Sequence, residues 1–242
     1  MTRGRYQGIR HVFQFNWPYY AAAAGAFALA SIVGSRSRAL RPAAGAAATL
    51  ATWWSVASVA ASHWVHDRSP LYSVSLFAED LPPVRRWALL HAGLDEFSDA
   101  IRAQLGDGDV IDFYDPAVMH EPSIARARRG STAKRRPLRD LGLGVSQYDA
   151  IFVPLALHEI RSSAERARFL RHMRDALTES GRIILVDHMR DMANVLAFGP
   201  GALHFLPERD YRRAIDASGL AVARESTITP LVHAFVLKAG SR

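Results

Sequence analysis

The sequence predicts an α/β fold: a mostly parallel sheet with helices on both faces and a C-terminal antiparallel hairpin, preceded by two apolar helices. Three observations carry this. Short, continuously apolar segments alternate with amphipathic ones from about residue 86 onward, the pattern of a parallel sheet covered on both sides. The last two apolar segments have only a short Thr-Pro connection and no helix between them, which fits a hairpin at one edge. Ahead of all this lie two uncharged runs, WPYYAAAAGAFALASIV from Trp17 and AAGAAATLATWWSVASVAAS from Ala43.

The two runs are separated by the basic linker GSRSRALRP. The second is long enough to cross a hydrocarbon core as a helix and the first is at the short limit. Trp17, Tyr19 and Tyr20 stand at the entry of the first, where interfacial aromatics belong, and small residues along both permit close helix packing. The expectation is a membrane hairpin over residues 1–66, with a cytoplasmic α/β domain over 67–242. Arg3, Arg5 and Arg10 precede the first run, while Arg36, Arg38 and Arg41 lie between the two. That distribution sets no orientation, so a shallow hairpin with both ends on one face also fits. A cleaved signal peptide and a soluble helical hairpin are the competing readings.

Composition narrows the chemistry. The formal net charge is +7 and nearly all basic residues are Arg, which favours anionic partners such as lipid headgroups. Arg126, Arg128, Arg129, Lys134, Arg135, Arg136 and Arg139 form a basic stretch read as a flexible loop; its bland reading is a solvated face. No helix-turn-helix or aromatic-basic interleaving favours nucleic acid. Cysteine is absent, so disulfides, thiolate zinc sites and cysteine nucleophiles are excluded. No ligand spacing supports a metal, although His158, His188 and Asp187 could in principle supply one.

Within the second region, RWALLHAG (Arg86–Gly93) reads as a strand ending in glycine and Leu94–Leu105 as a helix. Gly106–Pro116 is a turn and a second strand, and Pro122–Arg129 is a short basic helix. Tyr148–Ile160 is a buried strand with a polar end, followed by an amphipathic helix over Ser162–Ser180 and a strand over Gly181–His188. A helix over Pro207–Gly219 stops at glycine. The closing strands are LAVARESTI and LVHAFVLKA. Ligands of such sheets bind beyond the carboxyl ends of the strands. The residues placed there are His91-Ala92-Gly93, Asp112 to Asp115, Leu157-His158-Glu159 and Asp187-His188.

The order of these motifs resembles the class I S-adenosylmethionine-dependent methyltransferases, over roughly Trp87 to Lys238. YDAIFVPLALHEI followed by ALTESGRIILVDH is similar to that family's fourth and fifth strands, and DASGLAVARESTITPLVHAFVLKA to its closing helix and strands. The resemblance implies a Rossmann-like domain with a mostly parallel seven-stranded sheet, an S-adenosylmethionine cofactor and methyl transfer. It assigns the cofactor to His91, Gly93, Asp95, Asp115 and Leu157, with Asp115 on the ribose hydroxyls and Asp112 as its alternative. The first loop departs from the family: His91 stands in place of the acid, only Gly93 remains of the glycines, and Leu94, Asp95 and Glu96 replace the rest. Asp95 and Glu96 can face the cofactor's cationic groups or simply open a helix, where acids suit the dipole.

His158, His188 and His204 are the catalytic candidates, a neutral imidazole being able to act as general base. His188 is favoured because Asp187 could orient it. FGPGALHFL (Phe198–Leu206) is read as an ordered loop over the pocket, with a plain connection as the alternative. The function expected is a membrane-associated methyltransferase acting on a lipophilic small molecule. The alternatives are a cofactor-free scaffold of the same fold, supported by the glycine-poor loop, and a nicotinamide oxidoreductase, disfavoured because no G-x-G-x-x-G follows the first strand.

Overall fold

A computed structural model describes residues 6–128 and 135–240. The chain divides into two compact units: Pro70–Met189 with Phe205–Arg242, and Thr2–Ser69 with Arg190–His204. The expected boundary near residue 66 thus falls a few residues later. A segment from beyond the fifth strand also groups with the N-terminal helices.

The larger unit is built on a seven-stranded sheet in the order β3-β2-β1-β4-β5-β7-β6. Its strands are β1 (Trp87–His91), β2 (Asp109–Phe113), β3 (Arg135–Arg136), β4 (Tyr148–Pro154), β5 (Leu177–Asp187), β6 (Leu220–Thr229) and β7 (Val232–Ala239). The first five run parallel, while β7 pairs antiparallel with both β5 and β6, so the sheet is mixed. Every residue of β1 is buried, as is nearly every residue of β4. These are the strands whose apolar runs lack alternation, as burial on both faces requires. Trp87, Phe113, Tyr148, Phe169, Tyr211 and Phe235 are the largest side chains fully enclosed.

Helices α3 (Ser98–Leu105), α4 (Pro122–Ala127), α5 (Ser163–Ala176) and α7 (Glu208–Ser218) belong to this unit. Ser162 caps α5 by accepting from the Glu165 N–H, and Gly219 ends α7 in the left-handed conformation, the usual glycine role there. Two elements differ from expectation. The segment Leu177–Ser180, read as the end of the preceding helix, begins β5, with a register irregularity opposite Tyr148/Ala150. The third strand lies inside the basic stretch read as a loop. It is two arginines long and carries no apolar alternation by which to recognise it.

The smaller unit holds α1 (Gln7–Arg36), α2 (Arg41–His63) and α6 (Met192–Phe198). Small residues let α1 and α2 pack closely: a Cβ added at Gly34 would lie 3.2 Å from that of Ala44. Tyr20 and Ser58 share a hydroxyl–hydroxyl hydrogen bond of 3.0 Å. The start of α1 is held by Asp67, whose carboxylate accepts from the Gly8 and Ile9 N–H groups and meets His63 Nδ1 at 3.0 Å. These bonds answer the orphan donors of a helix N-terminus. The segment Phe198–Leu206, expected as an ordered loop, holds the last residue of α6 and a 3-10 turn over Gly199–His204. Gly199, at φ 54°, lies so close to the Trp54 ring that any side chain would collide with it.

No helix among the described residues is long and apolar enough to cross a membrane. The spanning form of the N-terminal anchor is therefore corrected. Alanine, the commonest residue of both runs, contributes little transfer free energy, and Ser, Thr, Gly and Tyr dilute the rest below what insertion requires. Arg3, Arg5, Arg129 and Lys134 lie outside the described residues.

Candidate functional site

Two groups of polar side chains sit at the carboxyl ends of the parallel strands, one at β4 and β5, the other at β1 and β2.

At β4 and β5 the centre is Asp187, the last residue of β5 and almost fully buried. Leu155, at φ 49°, turns the chain sharply after β4 into a 3-10 turn, Leu157–Glu159. That turn brings His158 over the end of β5. Its Nδ1 donates to Asp187 Oδ1 at 2.6 Å and its backbone N–H to Oδ2 at 3.2 Å. Nε2 lies 3.6 Å from Glu159 Oε1. Burial alone would push His158 below its ordinary value. The Asp187 and Glu159 carboxylates outweigh burial and raise it to about 10. At neutral pH His158 is thus held as the imidazolium, a form that donates.

The expected orientation of His188 by Asp187 needs correction. Asp187 accepts only the backbone N–H of His188, at 2.9 Å. The ring is held by a different group, the Leu231 carbonyl in the β6–β7 turn, 2.7 Å from Nδ1. A carbonyl only accepts, so Nδ1 carries a proton. Phe205 stacks on His188 at 4.8 Å and meets His158 edge-on at 5.8 Å. Tyr211, fully buried, donates to the His188 carbonyl at 3.1 Å. Burial, reinforced by the charge of Asp187, holds the Tyr211 phenol well above its ordinary value, so it remains a donor. Leu157, assigned to the cofactor, has its side chain in the hydrophobic core. His204 closes the 3-10 turn of the helical unit rather than belonging to the α/β unit.

At β1 and β2, His91 and Asp112 are partners in strand register. His91 Nδ1 accepts the Gly93 N–H at 3.2 Å. Burial, helped by the charge of Arg128, lowers the His91 pKa against the opposing pull of Asp95 and Asp112, so the ring is neutral. Asp112 is engaged by Arg128 through a two-pronged ion pair, Nη1 to Oδ1 at 2.9 Å and Nη2 to Oδ2 at 2.7 Å, with both side chains buried. The same guanidinium lies over the Tyr114 ring, 4.4 Å from its centroid. Gly93 has φ 110°, and a Cβ there would sit 2.7 Å from Arg128 Cγ and 2.8 Å from Nη1. Glycine is thus required twice, by conformation and by the side chain pressed against it.

The remaining predicted residues have local partners. Asp115 folds its own turn, accepting the Ala117 N–H at 3.0 Å. Asp95 opens α3, accepting the N–H groups of Phe97 and Ser98 and the Ser98 hydroxyl.

No family model matches the sequence, and no curated protein matches it. Solved structures do. The chain is similar to a SAM-dependent methyltransferase of Leishmania major, at 18% identity and TM-score 0.52, over 77% of this chain and 83% of that one. A SAM-dependent methyltransferase of Aquifex aeolicus is similar at 13% identity and TM-score 0.51, over 72% and 94%. One of Clostridium acetobutylicum is similar at 11% and 0.50, over 69% and 89%. The larger unit has the class I methyltransferase fold. Identities this low speak for the fold and not for the activity it hosts.

That fold implies S-adenosylmethionine at the ends of β1 and β2. The residues as arranged do not fit it. Asp112 is saturated by Arg128, and the space against Gly93 is filled by the same side chain.

Sequence reasoning reached His158, His188, Asp187 and Asp112. It missed the role of Arg128, which was one arginine among several in a basic stretch, and the parts of Leu231, Phe205 and Tyr211. Nothing in their spacing marks them, because they meet the site only through the packing of α7 and the β6–β7 turn.

Proposed function

We propose that the chain is an S-adenosylmethionine-dependent methyltransferase acting on a lipophilic small molecule, working at a membrane surface. The observation that carries the methyltransferase reading is the group of His158, Asp187 and His188 at the ends of β4 and β5 of a class I fold. There the His188 imidazole, held by the Leu231 carbonyl, and the His158 cation stand side by side in a buried setting. The cofactor, when bound, supplies the methyl group on a good leaving group. The protein's own work is then alignment, exclusion of water and handling of one proton. In this reading His188 Nε2 takes the proton of a hydroxyl or amine acceptor. His158 and Asp187 act as positioning residues that fix the turn after β4.

The membrane part of the proposal is surface attachment, not spanning. Its support is the exposed Phe13, Trp17, Tyr19 and Phe27 of α1 and Leu50 and Trp53 of α2, large apolar and interfacial side chains beside an Arg-rich linker. Full-length protein mixed with vesicles containing anionic phospholipid should float with them, and Trp17→Ala with Trp53→Ala should remain in the soluble fraction. Equal flotation of the double variant would remove these residues as the attachment.

A second reading is favoured by the filled space at Gly93: a scaffold of the same fold that binds no cofactor. Calorimetric titration with S-adenosylmethionine and its demethylated product separates the two. The enzyme reading expects saturable binding by the full-length protein; no heat at millimolar ligand leaves the scaffold.

A further inference from the structure

The position of Arg128 has more content than an ion pair that holds a loop. A carboxylate at the end of β2 offers two oxygens side by side, and a planar ring next to it offers a face. The guanidinium meets both at once: two parallel N–H donors on Oδ1 and Oδ2 of Asp112, and its plane over Tyr114. A ribose presents two neighbouring hydroxyl donors and an attached nucleobase presents a flat π surface. The two donors of the guanidinium fork thus stand where the diol's hydroxyls would donate, and its plane lies where the base would stack.

We propose that Asp112 and Tyr114 form an adenosine seat and that Arg128 is its internal occupant, which must leave before an adenosyl ligand can enter. The inference rests on the methyltransferase reading and deepens it, by naming the seat and the group that competes for it.

Three observations support occupancy over a purely structural bridge. Arg128 lies against Gly93, the one position of the first loop that retains the glycine needed for close approach by a ligand. The Arg128 Nε is buried with no hydrogen-bond partner among the described residues, a cost that a side chain placed only for stability would be expected to avoid. Arg128 follows directly on α4, so its side chain can swing away without moving a strand of the sheet. Asp115 accepts the Ala117 N–H of its own turn, and the carboxylate that Arg128 engages is that of Asp112.

The energetic consequence is a population effect. If the seat is open in a fraction f of molecules, the apparent dissociation constant is the intrinsic one divided by f. Weakening the Arg128–Asp112 fork raises f and therefore tightens adenosyl ligands, although it removes a buried contact. A structural bridge gives the opposite sign, because its loss loosens the loop that the ligand needs.

The test is calorimetric titration of full-length protein with S-adenosylhomocysteine, comparing wild type with Arg128→Gln and Arg128→Lys. The Gln variant lacks both the fork and the charge. The Lys variant keeps a counter-charge for Asp112, so it reports even where the neutral variant does not fold. Both are expected to bind at least about tenfold more tightly than wild type, as when an occupied fraction of nine-tenths or more is released. Asp112→Asn in the Arg128→Lys background is expected to cancel the gain. Wild-type binding with equal or weaker binding by the variants overturns the occupancy proposal and leaves the methyltransferase reading standing. No binding by any of the proteins overturns both.

Discussion

The ends of β1 and β2 and the ends of β4 and β5 use the same materials, carboxylates, imidazoles and a buried aromatic ring, to opposite effect. At β4 and β5, Asp187 spends its oxygens on the backbone and ring of His158 and on the backbone of His188. The ring of His188 is held at Nδ1 by the Leu231 carbonyl. The polar network there fixes the turn after β4 and both imidazole rings. At β1 and β2, His91 is neutral and bonded to its own loop, and Asp112 is paired with the guanidinium of Arg128. The difference teaches that fold position alone does not decide whether a strand-end carboxylate is a binding group. What decides is the partner that reaches it.

Four outcomes would sharpen or break this contrast. The largest is catalytic. With an acceptor in hand, His188→Ala should lower single-turnover methyl transfer by about 10²–10⁴-fold while leaving cofactor affinity and melting temperature near wild type. A parallel loss of affinity and stability would make His188 a packing residue instead.

The second concerns Asp187. Asp187→Asn removes the charge that holds the buried His158 imidazolium, and breaking one side of such a pair costs about 3–5 kcal/mol, measurable by urea unfolding. A change under about 1 kcal/mol would mean the pair contributes little to holding the turn after β4.

The third follows from the raised pKa of His158, about 10 against an ordinary 6.5. The folded state holds its proton more tightly than the unfolded state. Its contribution to stability is therefore complete below about pH 6.5 and is lost as pH rises toward about 10. Wild-type stability should fall across that window, and the fall should be shallower in His158→Gln. Identical slopes would remove the charged state of His158.

The smallest effect is expected at Asp115, where the fold resemblance placed the ribose contact. Asp115→Ala removes one bond of its own turn and should cost about 0.5–1.5 kcal/mol of stability, with little change in affinity for S-adenosylhomocysteine. A large affinity loss there would move the seat from Asp112 to Asp115.

Much of the α/β unit was legible in the sequence because burial on both faces writes itself as unbroken apolar runs. β1, β4 and the closing hairpin are of this kind. β3 was not legible, since two arginines at a sheet edge carry no periodicity. The N-terminal runs were read as apolar enough to span because they lack charge; lack of charge is not hydrophobicity when alanine fills the run. At the site, the histidines and Asp187 could be found from strand ends alone. Their roles could not. Asp187 was expected to orient His188, its chain neighbour, yet it holds His158, which lies 29 positions away in sequence. Arg128 was hidden for the same reason: its meaning comes from the Asp112, Tyr114 and Gly93 it touches, not from its arginine neighbours.

The measurement that tests the account most directly is calorimetric titration of the full-length protein with S-adenosylhomocysteine, alongside Asp112→Asn. The account predicts saturable one-to-one binding by wild type and its loss in the variant. Absence of binding at millimolar ligand by wild type and the Arg128 variants alike, or undiminished binding by Asp112→Asn, would contradict it.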